Sequence, residues 1–197
     1  IIGFAVTQSW LGALMALMGM SLPVASLIPV HGLVQLGSNC GRTWHQRHQV
    51  IWTELLPFVF GALLGAAIGA TMVIELPDGP MKLSLGIFVL ATAWVKIPNF
   101  GIIAGTGVAL AGLAVAFLSM LFGASGPLLA AFFEKRFPHR NEMVATSAAA
   151  MILVHSLKVA VFAYSGFAFA SWLGLIATMI ASGFLGTIAG TRILNKI

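Results

Sequence analysis

Long apolar segments separated by short clusters of charge run through this 197-residue chain. Hydrophobic residues make up 59% of it and charged residues only 8%, a composition that excludes a water-soluble globule of this size. The segments lack the alternating pattern of about ten residues that a transmembrane barrel strand requires, whereas their lengths suit helices that cross a bilayer. The sequence therefore predicts an all-α, polytopic transmembrane helical bundle.

Hydropathy also places the individual helices, and two of them are short. We expect segments 9–20 and 125–134 to be interrupted or re-entrant, because at about 1.5 Å per residue neither crosses the bilayer comfortably. Short interrupted helices often build the binding sites of transporters. The remaining predicted helices cover 24–41, 51–75, 81–97, 101–122, 143–165 and 171–194, with a partial one at 1–8.

A net charge of +5 and a single cysteine narrow the classes of function. Cys40 alone excludes an internal disulfide and argues against a Cys/His metal site, so we predict no metal and no cofactor. The cations fall in loops where they orient the chain by the positive-inside rule, and we therefore expect no nucleic-acid partner. If every segment reverses the chain, including 125–134, one cytoplasmic face carries Arg42, Arg47, Lys96, Lys135, Arg136, Arg140, Arg192 and Lys196.

The two halves of the chain share a pattern of polar residues. A helix within 77–99 would invert the second half, which predicts two inverted repeats at 1–76 and 100–197 with this helix as their linker. Because the chain opens without an initiator Met, we expect the first repeat to be truncated at its N terminus. Chance similarity between glycine-rich membrane helices is the alternative. A constant offset pairs Ser9 with Ser125, His31 with Ser147, Asn39 with His155, and Arg42 with Lys158.

Lys158 lies one helical turn after His155 inside an apolar run, where a cation is costly and needs a function. Asn39 and Arg42 repeat this spacing, so each repeat would place an amide or imidazole beside a cation. We interpret the two pairs as an anion clamp. Alternatively, Arg42 begins a loop and anchors the cytoplasmic face, and Lys158 extends outward from its helix end.

The motif from Gly123 to Pro127 suits anion capture in another way. Its glycines, Gly126 included, allow the backbone to approach a ligand, and Pro127 starts a helix whose free N–H groups would face Ser125. A tight interhelical turn would need the same residues. Further candidate ligands are Ser9, His31, Thr146 and Ser147. The hydroxyls of Thr146 and Ser147 could instead bond their own helix, and His31 could bond a neighbouring helix or couple transport to protons.

An intramembrane enzyme is the main rival interpretation. The residues around Ser125 have the Gly-x-Ser-Gly form of rhomboid proteases, and His155 would be the general base of a Ser–His dyad. This interpretation does not account for Lys158 or for the duplicated pattern. A non-catalytic membrane scaffold would explain the packing glycines but would leave His155 and Lys158 unexplained.

Five stretches, in order, resemble the TauE/SafE sulfite exporter family of membrane permeases. The resemblance implies a secondary transporter, named as an exporter, that carries small sulfur-containing anions such as sulfite, thiosulfate or organosulfonates including sulfoacetate. It further implies alternating access and a place in the bacterial inner membrane. The implied partners are the substrate anion and membrane lipid, and a homo-oligomer is left open. The five stretches are Ile28 to Arg42, Gly61 to Gly69, Gly123 to Pro127, Val144 to Ser147, and Gly186 to Leu194, while Thr7 to Trp10 departs from the glycine-rich turn of the family.

Overall fold

The computed structural model describes residues 22–73, 106–123, 125–134 and 136–194, together with positions 79, 83, 86, 87 and 90. The described residues contain six α-helices and no strand, which confirms the all-α prediction for this part of the chain. Predicted segments 1–8 and 9–20, and most of 81–97, lie outside it. The helices are α1 (Val24–His45), α2 (Trp52–Val73), α3 (Thr106–Phe122), α4 (Gly126–Phe133), α5 (Arg140–Tyr164) and α6 (Leu173–Leu194).

The helix boundaries follow the hydropathy closely, with one difference that concerns Arg42. Helix α1 continues to His45, and the backbone N–H of Gln46 still donates to the Arg42 carbonyl at 3.1 Å. Arg42 therefore lies in the last turn of α1, and the prediction that it begins the loop is wrong. A cation in this position interacts favourably with the negative end of the helix dipole.

Three prolines mark different places in the helices. Pro127 lies in the first turn of α4, as predicted, where the missing N–H has no intrahelical partner to lose. Pro29 lies inside α1 and Pro57 inside α2. Each interior proline removes one backbone hydrogen bond from its helix, so the ladder of α1 is interrupted just before His31.

Helices α2 and α3 pack side by side through small residues. Gly61 lies against Ala109 and Gly69 against Phe117, so residue numbers rise together and the two helices run parallel. At Gly61 and at Gly65, an added Cβ would overlap backbone atoms of α3. Such close contact between glycine-lined surfaces is how helices associate in membranes, where apolar side chains gain nothing by leaving lipid.

Helices α1 and α5 pack against each other in antiparallel orientation. Gly32, in the first half of α1, lies against Lys158 near the end of α5. The chain after α1 returns to the beginning of α5, where the N–H of Ile51 donates to Thr146 Oγ1 at 3.0 Å. Helix α2 packs on α5, and helix α6 packs on α1.

The short helix α4 carries the chain from one end of the bundle to the other. Gly123, which precedes it, lies beside Lys158. Arg136, which follows it, forms a bidentate salt bridge with Glu54 at the beginning of α2, with N–O distances of 2.6 and 2.8 Å. Arg136 thus shares one end of the bundle with Arg140 and the start of α2, and the crossing of the membrane at 125–134 stays a prediction.

Helices α2 and α5 are long and apolar enough to span a membrane. Away from α3, helix α2 presents a broad apolar surface that packs against nothing within the described residues. Such a surface is unfavourable in water and suits contact with lipid. Its exposed side chains are Leu56, Phe60, Leu63, Leu64, Ile68 and Met72.

Candidate functional site

The Lys158 side chain is completely buried between helices. Its Nζ donates to the backbone carbonyl of Gly123 at 3.1 Å, and its stem crosses Gly32, where an added Cβ would lie 2.9 Å from the lysine Cδ. Gly123 has a φ of 75°, a left-handed conformation that glycine adopts without strain at the end of α3. Lys158 therefore does not extend outward to the bundle surface, and that alternative is wrong.

No carboxylate pairs with the Lys158 ammonium in the part of the chain that the structure describes. The salt bridge present there joins Arg136 and Glu54 at the opposite end of the bundle. An ammonium has three donors, and the Gly123 carbonyl accepts from one of them. A buried cation without a counter-charge is strongly unfavourable. The ammonium is thus suited to bind an anion.

Two imidazoles lie near Lys158: that of His155, one turn earlier on α5, and that of His31 on the neighbouring helix α1. The rings of His31 and His155 meet edge to face, with centroids 6.2 Å apart and planes at 79°. Gln35 Nε2 lies 3.1 Å from His31 Nε2. Because an amide nitrogen only donates, Nε2 of His31 accepts this bond and the ring proton lies on Nδ1. The Nδ1 atoms of both buried rings have no hydrogen-bond partner.

Among the described residues, three buried serine hydroxyls also have no hydrogen-bond partner, those of Ser119, Ser125 and Ser147. Ser119 and Ser125 flank Gly123 at the break between α3 and α4. Ser125 precedes the first turn of α4 but makes no capping bond with its side chain. Buried polar groups are normally satisfied, so these hydroxyls are available to a ligand. For Ser147, the alternative of a bond to its own helix is wrong.

Two other predicted residues already have partners within the protein. Asn39 Nδ2 donates to the Gln35 carbonyl of its own helix at 2.8 Å. Thr146 Oγ1 accepts from the backbone N–H of Ile51 at 3.0 Å and so holds the loop before α2 against α5. Both side chains are buried, and both stabilise helices rather than face the Lys158 ammonium.

The remaining predicted residues lie apart from Lys158 or outside the described part. Arg42 follows Gly32 by about ten residues, which corresponds to about 15 Å along α1. The structure therefore does not bring the two predicted pairs together as one clamp. Gly126 begins α4 beside Ser125, as predicted. Ser9 lies outside the described residues, so its pairing with Ser125 stays a prediction.

Sequence reasoning missed three residues that shape this site. Gln35 lies one turn from both His31 and Asn39, and an amide at this spacing in an apolar run was a readable signal of a polar helix face. Gly32 matters because the Lys158 stem crosses it, which only the tertiary structure shows. Ser119 belongs to no motif and gave no signal.

The arrangement does not support a serine protease. Such an enzyme needs the serine hydroxyl to donate to its general base. The Ser125 hydroxyl has no hydrogen-bond partner, so Ser125 and His155 do not form a dyad. A lysine, two imidazoles and hydroxyls buried together are instead suited to hold an anion.

Comparisons with known proteins point to one family. The family model described as sulfite exporter TauE/SafE matches residues 1–197. The probable inner membrane transporter protein TsaS of Comamonas testosteroni is 26% identical over 164 residues, which cover 76% of this chain and 64% of that relative. The chain thus spans slightly less than two thirds of the length of this curated relative, and no solved structure matches it. The members of this family are membrane transporters and not enzymes. Because the family match covers the whole chain, the protein belongs to the TauE/SafE sulfite exporter family of integral membrane proteins.

Proposed function

We propose that this protein is a secondary transporter, working as an exporter, of small sulfur-containing anions across the bacterial inner membrane. The substrates would be sulfite, thiosulfate or organosulfonates such as sulfoacetate. The family supports transport of a sulfur anion, and the name of the relative from Comamonas testosteroni supports the inner membrane. The anion would bind at Lys158.

The observation that carries this proposal is a buried ammonium without a carboxylate partner in the described residues. Lys158 is fully buried, and its bond to the Gly123 carbonyl does not neutralise its charge. An anionic substrate would supply the missing counter-charge, and the interaction would be strong because water is largely excluded. The free energy lost on burying the lysine is thereby offset when substrate binds.

Neutral donors around Lys158 would complete the binding of a sulfur oxyanion. Ser119 and Ser125 lie on either side of Gly123, and their hydroxyls have no partner. The first backbone N–H groups of α4 face back toward the same turn, and a helix N terminus favours negative charge. An oxyanion with three terminal oxygens accepts several such bonds at once. The residues we assign to the site are Ser119, Gly123, Ser125, Gly126, His31, His155 and Lys158. Ser147 lies about eleven residues before Lys158 on α5, about 16 Å along the helix, and is not assigned to it.

We further propose that two inverted repeats, 1–76 and 100–197, surround this site, with a linker helix within 77–99. In the sequence register, α1 corresponds to α5, and α2 corresponds to α6 after a short insertion; α2 and α6 are both 22 residues long. A two-fold axis through the α1–α5 pair would relate the contact of α2 with α5 to the contact of α6 with α1, and both contacts are present. Alternating access would then be a rocking of one repeat against the other.

The test is flux through the full-length protein in proteoliposomes. We expect saturable uptake of labelled sulfite, thiosulfate or sulfoacetate in the wild type. Lys158→Gln should abolish it, and Ser125→Ala should reduce it about tenfold, because one hydrogen bond to a charged group is removed. Arg47→Gln is the matched control, since it removes an exposed cation, and it should transport normally.

The outcomes separate the site from the function. Wild-type flux in both Lys158→Gln and Ser125→Ala, with transport intact, would reject the assigned site. Absence of saturable flux for every sulfur anion would reject the function. Labelling of Ser125 by a fluorophosphonate without any anion flux would favour the protease instead.

A further inference from the structure

Three titratable side chains meet at the site, and the function proposed above uses the charge of one. His31 of α1 and His155 of α5 contact each other edge to face, and Lys158 follows His155 by one turn. Both imidazoles are more than nine-tenths buried, and each has an Nδ1 atom without a partner. Each neutral imidazole keeps one unprotonated nitrogen that can take up a proton; on His31 this is Nε2, which accepts from Gln35.

The other helices around this cluster contribute no further titratable group among the described side chains near it. Helices α3 and α4 supply Ser119 and Ser125 at the break between them. The described side chains of α6, from 173 to 183, include no charged residue. Helix α2 carries Glu54, which is paired with Arg136 at the far end of the bundle. On α1, the nearest cation is Arg42, about 15 Å along the helix.

The charge at the site therefore balances a monoanionic substrate without any additional proton. Lys158 supplies one positive charge, which balances a monoanion such as an alkylsulfonate. A dianion would leave one negative charge uncompensated in a site that is shielded from water, which is strongly unfavourable. A proton on one imidazole would restore the balance. With no anion bound, that second positive charge beside Lys158 would be repelled.

We propose that the His31–His155 pair takes up one proton when a dianion binds and releases it when the dianion leaves. Dianions would then cross the membrane together with a proton, whereas monoanions would cross without one. This inference rests on the proposed transport function and adds the coupling ion to it. The proton comes from hydronium on the side where the dianion enters, so an O–H bond breaks as the imidazole N–H bond forms. On the other side the N–H bond breaks and water takes the proton back.

Gln35 is the residue that would accommodate the change at His31. Its amide nitrogen now donates to His31 Nε2, which holds the ring in its neutral form. A protonated ring would donate from both nitrogens, and rotation of the Gln35 amide would present its oxygen to Nε2. Gln35 is thus a positioning residue for the proton rather than a ligand of the anion.

The experiment compares anions of fixed charge in the same proteoliposomes. Near neutral pH, thiosulfate and sulfoacetate are dianions, and methanesulfonate is a monoanion. With the membrane potential clamped, an inward proton gradient of about one pH unit should raise dianion accumulation by up to about tenfold, the factor that one coupled proton supplies. Methanesulfonate accumulation should not change. A dye inside the vesicles should report acidification with the dianions alone.

Variants locate the proton within the protein. His155→Gln and Gln35→Leu should lower the ratio of dianion uptake with the gradient to uptake without it, whatever their basal rates. His48→Gln, which removes an exposed histidine from the loop after α1, should keep the wild-type ratio.

Each outcome decides the inference. Equal stimulation of all three anions, stimulation of none, or carriage of the monoanion alone would overturn proton coupling and leave the transport function standing. Failure to carry any of these anions, or sulfite, would instead count against the transport function itself.

Discussion

Two helix pairs in this bundle are built in opposite ways. The α2–α3 pair is parallel and closes through glycines, so that the two backbones lie in close contact. The α1–α5 pair is antiparallel and closes around His31, His155 and the stem of Lys158. The second interface leaves the buried Nδ1 atoms of His31 and His155 without partners.

This difference distinguishes the α2–α3 pair, which stabilises the fold, from the α1–α5 pair, which carries the proposed anion site. Backbone contacts such as those between Gly65 and Leu113 leave no space for a ligand and allow little rearrangement. Unsatisfied polar groups carry a free-energy cost that a bound anion can relieve. A transporter needs both kinds of interface, because one must stay rigid while the polar groups of the other exchange hydrogen-bond partners during transport.

Gly65→Ala should have the largest effect, and it acts on the rigid pair. The new Cβ would overlap the Leu113 backbone, which cannot move aside without separating α2 from α3. We expect a loss of about 3 kcal/mol of stability, at the upper end for overpacking. The measurement is thermal unfolding in detergent, with Gly174→Ala as the matched control, because a Cβ there meets open space. Equal stability of the two variants would remove the distinction between the helix pairs.

Gly32→Ala is the same substitution in the polar pair, and its effect should fall on transport instead. Its Cβ would lie 2.9 Å from Cδ of Lys158, and the lysine stem can shift by a few tenths of an ångström to avoid it. That shift moves the ammonium away from the Gly123 carbonyl. We expect near-normal stability and a roughly tenfold lower rate of transport, equivalent to about 1.4 kcal/mol.

Measuring flux and unfolding on the same preparation of Gly32→Ala separates the two effects. Severe destabilisation with little loss of flux per folded molecule would show that this interface, too, is a rigid one.

Thr146→Val should have the smallest effect, since it tests a satisfied residue at the edge of the polar pair. The Ile51 N–H would lose its acceptor, at a cost of about 1 kcal/mol, while the proposed anion site would be unchanged. Unfolding in detergent should register this cost, and the substrate concentration at half-maximal flux should stay at its wild-type value. A large change in that concentration would make Thr146 a ligand after all.

The fold was largely predictable because apolar length is recorded in the sequence. The predicted segment 51–75 became α2 at Trp52–Val73, and 125–134 became α4 at Gly126–Phe133. The extension of α1 to His45 was not predictable from hydropathy, since polar residues continue a helix as readily as they begin a loop. Parallel packing of α2 on α3 was also hidden, because the glycine spacing shows a contact face without showing its partner.

The candidate site was predictable only where a residue is costly in itself. Lys158 and His155 stand out because charge and imidazole are unfavourable in an apolar run. Asn39 and Arg42 carry the same spacing, yet Asn39 bonds its own helix and Arg42 lies a long way down α1. Local spacing cannot reveal which side of a helix meets the buried ammonium. It could not show either that the lysine stem would need a glycine opposite it.

Pro29 has a mechanical consequence for helix α1. Since this proline cannot donate to the turn before it, the first turn of α1 is held to the rest of the helix by fewer bonds. The interruption lies just before His31 and Gly32, through which α1 contacts His155 and Lys158 of the proposed anion site. Leu27 and Ile28, which precede the proline, are fully buried against other helices. The first turn of α1 is therefore fixed by its packing more than by its own hydrogen bonds, and a change in the helices around it would be transmitted first to His31.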